Sequence, residues 1–251
     1  MSAISAMLYR EGKLRVTNLT YIFWDLFYPL GYLLVFGVMM NYMVGTQFPL
    51  VGVDYNSFFL AGVLGMASFG IASNTSWSFF LDRDNGIFFE MLTYPLSRAE
   101  YLLGKVLFTV FIGILQAVIT VGLGLALLGI RLRFDLLPLL FVVVAGGTAG
   151  WFFFYAIFAL WIRRNDVFNS VTSVFYFVFL FASSMFYPLE PLPAWFRGAA
   201  LANPVTWHVD LMRYLTIGYG DPRTVAIEAA AFTAFCIASF IVAVRFLQQQ
   251  E

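Results

Sequence analysis

The chain has 251 residues, of which 61% are apolar and 11% are charged, with 14 basic and 14 acidic side chains. Soluble domains are about 45–50% apolar, so this composition is typical of a membrane protein, and a net charge of zero offers no electrostatic basis for binding nucleic acid. One cysteine (Cys236) and one histidine (His208) exclude a disulfide framework and a Cys/His metal cluster, so we expect no metal site.

Six stretches are long and apolar enough to cross a bilayer, whose hydrocarbon core of about 30 Å takes roughly 20 helical residues. Backbone groups in lipid must pair within their own segment, so these spans are expected to be helices. The predicted spans cover residues 22–44, 57–80, 103–129, 136–162, 167–187 and 224–246. The predicted fold is therefore an all-α membrane protein with a single transmembrane domain over residues 1–251.

Basic residues near the ends of the spans predict the orientation. With the N-terminus inside, the cytoplasmic flanks hold Arg10, Lys13, Arg15, Arg83, Arg98, Lys105, Arg163, Arg164 and Arg245. The outer flanks then hold only Arg131, Arg133, Arg197, Arg213 and Arg223. This excess favours both termini in the cytoplasm.

Residues 1–20 are predicted to form a helix in the membrane interface. One helical face carries Ile4, Met7, Leu8 and Leu14, and Arg10, Lys13 and Thr17 lie elsewhere. This arrangement suits an apolar face on lipid and basic side chains directed at lipid phosphates. A frayed tail is the alternative.

Asp25 lies near the cytoplasmic end of the first predicted span, where it has either an interfacial pairing role or a direct functional one. In the fourth span, Gly146 and Gly150 form a small-residue motif that predicts a helix-packing face.

Polar side chains occur inside the second and fifth predicted spans, among them Asn74, Thr75, Asn169, Thr172 and Ser173. In lipid such groups must face protein or a hydrated cavity. They therefore either join helices by hydrogen bonds or line a substrate path.

Residues 81–100 form an unusually charged connection between the second and third spans. Ser97 and Glu100 fit a capping box that begins the third span, and Pro95 separates this helix from what precedes it. The preceding residues 86–92 read GIFFEML, a short amphipathic piece. Its Phe88 and Phe89 are too apolar for a free loop, so we expect it to lie on lipid or to fill a groove on a partner.

The outer connection, residues 188–223, predicts two short helices. Pro188, Pro191 and Pro193 are expected to end the fifth span, with Pro193 at the first position of a short helix. Asn203 as N-cap and Pro204 at the first position begin a second helix over 204–217, in which Asp210 and Arg213 pair at i, i+3. The pair suggests a re-entrant hairpin, 188–218, in the outer leaflet; a loop outside the membrane is the alternative.

Enzymatic motifs are absent from the sequence. Gly104-Lys105 is followed by Val106 and has no glycine-rich turn before it, so it is not a Walker A motif. Neither a nucleophile elbow nor a His-Glu-x-x-His motif occurs. We therefore predict no catalytic residues in this chain.

The segment at residues 81–105 resembles the cytoplasmic segment after the second helix of type 2 ABC exporter permeases. The matching residues are Arg83-Asp84-Asn85-Gly86, Glu90-Met91-Leu92, Pro95-Leu96-Ser97 and Gly104-Lys105. The outer connection resembles that of the same family in Tyr187-Pro188, Leu192-Pro193-Ala194-Trp195 and Asn203-Pro204-Val205-Thr206. The entry of the second span is similar to that of drug-resistance and nodulation-factor exporters, in Val53-Asp54-Tyr55 through Phe58 to Ala61-Gly62. Asp84 stands where the family usually has Glu, and Ile87 where it has Thr.

The resemblance implies a permease subunit of a prokaryotic plasma (inner) membrane exporter. Such a subunit pairs as a homodimer or with a sister permease, contacts membrane lipids, and binds a separate ABC ATPase that carries ATP and Mg²⁺, so no cofactor is expected in this chain. The expected substrate is amphipathic, hydrophobic or lipid-linked, and the lack of the basic N-terminal run of O-antigen and teichoic-acid exporters disfavours long glycans. The alternatives are a membrane enzyme or regulatory membrane protein without an ATPase, and an ATP-independent channel.

The resemblance also assigns three sets of residues. ATPase coupling would use Arg83, Asp84, Gly86, Phe88, Phe89, Glu90, Leu92 and Pro95. The substrate path would use Asn74, Thr75, Asn169, Thr172 and Ser173. An outer gate would use Pro188, Pro193, Trp195, Asn203 and Pro204.

Overall fold

The computed structural model describes residues 3–44 and 53–249, and within these ranges all regular structure is helical. The helices are α1 (Ala3–Thr17), α2 (Leu19–Met40, continuing to Val44), α3 (Tyr55–Asp84), α4 (Ile87–Met91), α5 (Arg98–Leu128), α6 (Leu137–Trp161, after a 3₁₀ turn at Phe134–Leu136), α7 (Asn165–Phe181), α8 (Ala194–Leu201), α9 (Pro204–Ile217) and α10 (Pro222–Gln248).

Five of the described helices, α2, α3, α5, α6 with its 3₁₀ turn, and α10, are long and apolar enough to cross a membrane. The remaining predicted span, 167–187, corresponds to α7, which has only 17 residues. At 1.5 Å per residue α7 is about 25 Å long, shorter than a hydrocarbon core of about 30 Å. Five of the six predicted spans are thus present at full length, and the remaining one, 167–187, is a shorter apolar helix.

The end of α7 differs from the prediction. The helix ends at Phe181, well before Pro188, so the prolines do not end it. The Asn203 side chain instead donates hydrogen bonds to the carbonyl oxygens of Phe179 (2.8 Å) and Ala182 (2.6 Å). These carbonyls lie at the helix end, where no later turn of the helix supplies a donor. A distant side chain, which local sequence does not reveal, therefore satisfies the end of α7.

Contacts between connections place both described chain ends at one end of the bundle. The Arg98 guanidinium donates to the carbonyl oxygens of Leu247 and Gln248 (3.4 Å each), and Arg10 of α1 pairs with Asp82. We call this the terminal end; it holds α1 and residues 81–98. The opposite end holds α8 and α9, and we call it the hairpin end.

Helix α3 lies at the centre of the bundle, packed against α5, α6 and α9. Within its most apolar stretch 83% of residues are buried, against 22% in α2 and in α10. A helix that is buried on all sides needs no polar face, so its apolar residues are not confined to one side. Helix α3 accordingly lacks a pronounced apolar stripe. Helices α2 and α10 are peripheral.

Helices α6 and α10 pack closely at a glycine. A Cβ on Gly150 would lie 2.1 Å from the Cys236 sulfur, so only glycine allows this approach. The predicted partner in the motif, Gly146, has nothing within 4 Å of the corresponding position, whereas Gly147 faces His208 of α9. The prediction was therefore right for Gly150 and wrong for Gly146, because the contact surface follows an i, i+3 row.

Helix α2 is irregular. Two π-helical stretches, Phe23–Phe27 and Tyr32–Gly37, flank the α-helical piece Tyr28–Gly31 that contains Pro29. Proline removes a backbone donor and disturbs the regular ladder, and π-helical turns are one way a helix absorbs such a change. The rings of Trp24, Tyr28, Tyr32 and Phe36 follow one another with centroid separations of 5.0, 5.1 and 6.2 Å. This aromatic row forms a continuous wall along α2.

Candidate functional site

Residues 81–98 make the short helix that the sequence predicted. Gly86 adopts a positive φ of 76°, a conformation open to glycine, and turns the chain from α3 into α4. The capping box is confirmed: the Ser97 backbone N–H donates to the Glu100 carboxylate (2.8 Å), and the Glu100 N–H donates to the Ser97 hydroxyl (3.2 Å). Helix α4 is therefore fixed at both of its connections.

The two phenylalanines of α4 have opposite surroundings. Phe88 is fully buried, its ring centroid 5.0 Å from that of Tyr101 and 5.8 Å from that of Phe79. Phe89 remains 39% exposed. The expectation that both would contact lipid or a partner is thus wrong for Phe88, because that side chain anchors α4 to α3 and α5 of its own chain.

The other predicted coupling residues divide in the same way. Asp84, Gly86, Glu90 and Pro95 are exposed and Leu92 is half-buried. Arg83 turns inward, where its guanidinium donates to the carbonyl oxygens of Leu160 (2.6 Å) and Ile162 at the end of α6. Arg83 therefore links α3 to α6 and does not belong to the exposed face of this segment.

A buried group of charged side chains joins α1 to the rest of the terminal end. We call it the ionic cluster; its members are Arg10, Glu11, Arg15, Asp25, Asp82 and Lys105. Three are cationic and three anionic, so the cluster is formally neutral. Burying a charge without a partner is costly, and this mutual pairing is what makes the burial of these residues tolerable.

Lys105 is the centre of one half of the ionic cluster. Its ammonium group is fully buried and lies 2.9 Å from Glu11 Oε1 and 3.0 Å from Asp82 Oδ2. Arg10 completes this half by pairing with Asp82 Oδ1 at 2.5 Å. The expectation that Arg10 points to lipid phosphates is therefore wrong, because its guanidinium faces Asp82 within the protein.

Asp25 is the centre of the other half. Arg15 Nε lies 3.1 Å from Asp25 Oδ2, and Asn74 donates to Asp25 Oδ1 at 2.8 Å. Arg15 also donates to the Thr75 hydroxyl at 2.7 Å. Of the two roles left open for Asp25, the structure shows pairing.

Sequence reasoning missed most of the ionic cluster. The side of α1 that faces the protein carries Met7, Glu11 and Arg15, four residues apart. An interfacial helix is expected to bury an apolar stripe and to keep its charged residues at the surface. The i, i+4 spacing of Glu11 and Arg15 does not reveal the cluster, because such charges usually pair with each other on a helix surface, whereas these two pair with Lys105 and Asp25.

A cavity of about 710 Å³ opens between α2, α3 and α7. Four of the five predicted path residues line it together: Asn74, Asn169, Thr172 and Ser173. Thr75 does not; it is fully buried, and its hydroxyl accepts a hydrogen bond from Arg15. The prediction from polar residues inside spans thus identified most of one wall.

Aromatic rings make up much of the remaining wall of this cavity, including Trp24, Tyr28, Tyr32, Trp77 and Tyr176. No charged side chain is among its described lining residues. The buried Trp77 Nε1 has no hydrogen-bond partner in the described chain. The cavity therefore offers aromatic faces and neutral hydrogen-bonding groups.

The predicted outer-gate residues are not brought together at one point. Asn203 is buried as the N-cap of α9, accepting from the Val205 N–H at 2.9 Å, and Pro204 occupies the first helical position as predicted. Pro188 is buried nearby, whereas Pro193 and Trp195 lie exposed at the start of α8. Pro193 precedes the first residue of α8 instead of occupying it.

These features define the class of the protein: a multi-pass α-helical membrane protein with a cavity between its helices and a short helix exposed at one end. A family model described as "ABC-2 type transporter" matches residues 2–217. The chain belongs to the ABC-2 type transporter family, which confirms the family inferred from the 81–105 segment.

Several transport permeases are similar to the chain in sequence. A putative transport permease, ycf38, of Pyropia yezoensis is 24% identical over 247 residues, which are 95% of this chain and 84% of that protein. The Cyanophora paradoxa ycf38 protein is 27% identical over 195 residues, 74% of this chain and 64% of the relative. The probable multidrug ABC transporter permease YbhR of Escherichia coli K12 is 24% identical over 164 residues, covering 65% of this chain and 44% of YbhR.

Proposed function

We propose that the chain is the transmembrane subunit of an ATP-driven exporter, moving an amphipathic, hydrophobic or lipid-linked substrate out of the cytoplasm or inner leaflet. The observation that carries this proposal is the cavity between α2, α3 and α7, which is large enough for a drug-sized molecule. Membership of the ABC-2 family supports a role as a transporter subunit.

The chemistry of the cavity favours a substrate whose bound part is uncharged. Its aromatic rings offer apolar contact, and Asn74, Asn169 and Ser173 offer neutral hydrogen bonds. Asp25 lies behind Asn74, but its charge is paired with Arg15. A charged group would find no counter-ion among the described lining residues and would lose its hydration.

ATP hydrolysis would take place on a separate ABC ATPase, docked on the exposed face of α4. Phe89 is the apolar group on that face, with Glu90 and Pro95 exposed beside it. Exposed aromatic residues are frequent anchors in protein interfaces. In this proposal the terminal end faces the cytoplasm of a prokaryotic cell, in keeping with its excess of basic residues.

A second permease copy, identical or a sister protein, would close the open side of the cavity. Helices α2 and α7 expose large rings, among them Phe27 (62%) and Phe177 (60%), the second of which lines the cavity. Apolar side chains there contact either lipid or another permease. Two copies facing each other would enclose one path between them, with the 188–218 hairpin at its outer end.

Motion at α4 can reach the cavity through contacts that already exist. Phe88 packs on Tyr101, and the Tyr101 hydroxyl donates to Asp82 at 2.5 Å. Asp82 is ion-paired with α1, and α1 is paired in the other half of the ionic cluster with Asp25, which accepts a hydrogen bond from Asn74 in the cavity wall. A displacement of α4 by the ATPase would therefore pull on both α1 and the cavity. The energy for this must come from ATPase contacts that differ between two states.

Phe89→Glu tests the docking surface. Co-expressed with its ATPase, this variant should lose co-purification and substrate-stimulated ATP hydrolysis by about tenfold or more, the effect expected of an interface anchor. Membrane insertion should not change and thermal stability should fall only slightly, because Phe89 is partly exposed and its ring lies edge-on against Phe88, with centroids 5.3 Å apart. Phe134→Glu is the matched control, an exposed aromatic at the hairpin end that should leave hydrolysis unaltered.

Three results would contradict the proposal. The hypothesis of an ATP-driven exporter fails if the wild-type chain never co-purifies with an ABC ATPase. Docking on α4 fails if Phe89→Glu keeps full activity. Substrate flux into vesicles that persists without nucleotide would favour a channel instead.

A further inference from the structure

A second cavity, of about 610 Å³, lies at the hairpin end between α9, the start of α10 and residues 184–190. Its charged lining residues are Glu190, Arg197, Asp210, Arg213, Asp221 and Glu228. Four of these are acidic and two are basic. The cavity is separate from the one between α2, α3 and α7 and shares no lining residue with it.

The guanidinium of Arg213 is already committed within the chain. Arg213 is 1% exposed and donates to the carbonyl oxygens of Phe58 (3.3 Å) and Ser184 (2.8 Å) and to the Asp210 carboxylate. Its central carbon also lies 3.7 Å from the centre of the Phe58 ring. Arg213 and Asp210 therefore form a structural pair, and no hydrogen bond or ion pair in the described chain joins Arg213 to the other acids of the cavity.

Glu228 is the buried acid of this cavity that makes no direct contact with a cation of the described chain. It lines the cavity from the first turns of α10 and is only 6% exposed. No hydrogen bond or ion pair connects its carboxylate to another side chain in the described chain. Burial of an ionised carboxylate is costly unless a cation accompanies it, and a bound cation would therefore favour the ionised form here.

The rest of the lining suits a cation with an organic part. The Tyr219 ring borders the cavity and is held edge-on against Phe58, with centroids 5.8 Å apart. Hydrogen bonds from the Thr224 backbone N–H and hydroxyl hold the pKa of Asp221 below its usual value, so that side chain stays ionised at the rim. Aromatic faces beside carboxylates are the usual surroundings of bound ammonium groups.

We propose that this outer cavity binds a molecule bearing an ammonium group, with Glu228 as its counter-ion. A metal ion fits less well, because no group of three His, Cys, Asp or Glu side chains among the described residues is placed to hold one. The volume also matches pockets for organic ligands, roughly 300–1,000 Å³. The ammonium group belongs either to a soluble amine or to a phosphatidylethanolamine headgroup.

Thermal unfolding of the full chain in phosphatidylglycerol nanodiscs tests the site, with tetramethylammonium chloride as probe and sodium chloride at equal ionic strength as blank. A ligand that binds the folded state raises the unfolding midpoint as its concentration passes Kd. Glu228→Gln should require at least about tenfold more probe for the same rise in the unfolding midpoint, because one charged contact contributes about that factor to the affinity. Asp135→Asn, an exposed acid at the same end, should respond like wild type.

A second arm distinguishes the two sources. If a lipid headgroup fills the site, phosphatidylethanolamine in the nanodisc raises the wild-type midpoint and reduces the effect of the probe, and Glu228→Gln shows neither change. If the ligand is a soluble amine, that lipid leaves the effect of the probe unaltered.

The proposal is overturned if the probe acts equally on Glu228→Gln and wild type, or if wild type responds to neither probe nor lipid. Should Glu228→Gln fail to fold, Glu190→Gln at the exposed rim carries the test. The Glu190→Gln change should weaken the affinity for the probe by only a few fold, because exposed charges are screened. An unchanged response in that variant would then count against the site.

Discussion

Lys105→Met is the sharpest test of the buried ionic cluster. The Lys105 ammonium group is fully buried between Glu11 and Asp82, at 2.9 and 3.0 Å. Methionine keeps much of the side-chain length but removes the charge, so the neutral cluster becomes an anionic one. Asp82 keeps Arg10 as a partner, whereas Glu11 keeps only a shared contact with Arg10.

The expected cost follows from that geometry. Removing one partner of a buried ion pair destabilises a protein by about 3–5 kcal/mol, because the other charge stays buried. For a chain of this size such a loss lowers the unfolding midpoint by about 6–20 °C. We expect the shift in thermal unfolding of the purified chain in nanodiscs.

Two further variants give this prediction its controls. Glu11→Gln added to Lys105→Met restores a net charge of zero and should recover more than half of the lost stability. Arg164→Met removes an ion pair in which both side chains are exposed, and should leave the unfolding midpoint almost unchanged, because solvent screens such pairs. If Lys105→Met costs no more than Arg164→Met, the ionic cluster does not hold α1 in the manner described.

Two other stability measurements follow from close contacts. Gly150→Ala places a methyl group against Cys236 and should cost about 1–3 kcal/mol, whereas Gly146→Ala enters open space and should cost nothing, both measured by thermal unfolding. Asn203→Ala removes the N-cap of α9 and the donor at the end of α7, and should cost about 2–4 kcal/mol. Asn169→Ala, exposed and bonded only within α7, should stay within about 0.5 kcal/mol of wild type.

Elements set by local chemistry were predictable from the sequence. The capping box at Ser97 and Glu100 and the start of α9 at Asn203 and Pro204 each depend on residues within one turn of one another. The Asp210–Arg213 pair is also local, at i, i+3. Hydropathy found five spans because lipid imposes a minimum length on any helix that crosses it.

Features that depend on distant partners were not predictable. The end of α7 depends on Asn203, more than 20 positions along the chain. The difference between Phe88 and Phe89 depends on where Tyr101 lies, since both are equally apolar in the sequence. The predicted path shows the same limit, because nothing local distinguishes Asn74, which lines the cavity, from the adjacent Thr75, which bonds Arg15 instead.

The ionic cluster matters most for the position of α1. Replacing buried ion pairs with apolar residues often preserves stability, so net stability alone is a weak reason for having them. Their geometry is stricter. A shift of α1 by one residue would turn Glu11 by about 100° and separate it from Lys105. An apolar face would tolerate such a shift, whereas these pairs allow one register. Helix α1 is thereby held to α3 through Asp82 and to α5 through Lys105, so a displacement of α3 at this end would strain the pairs with α1.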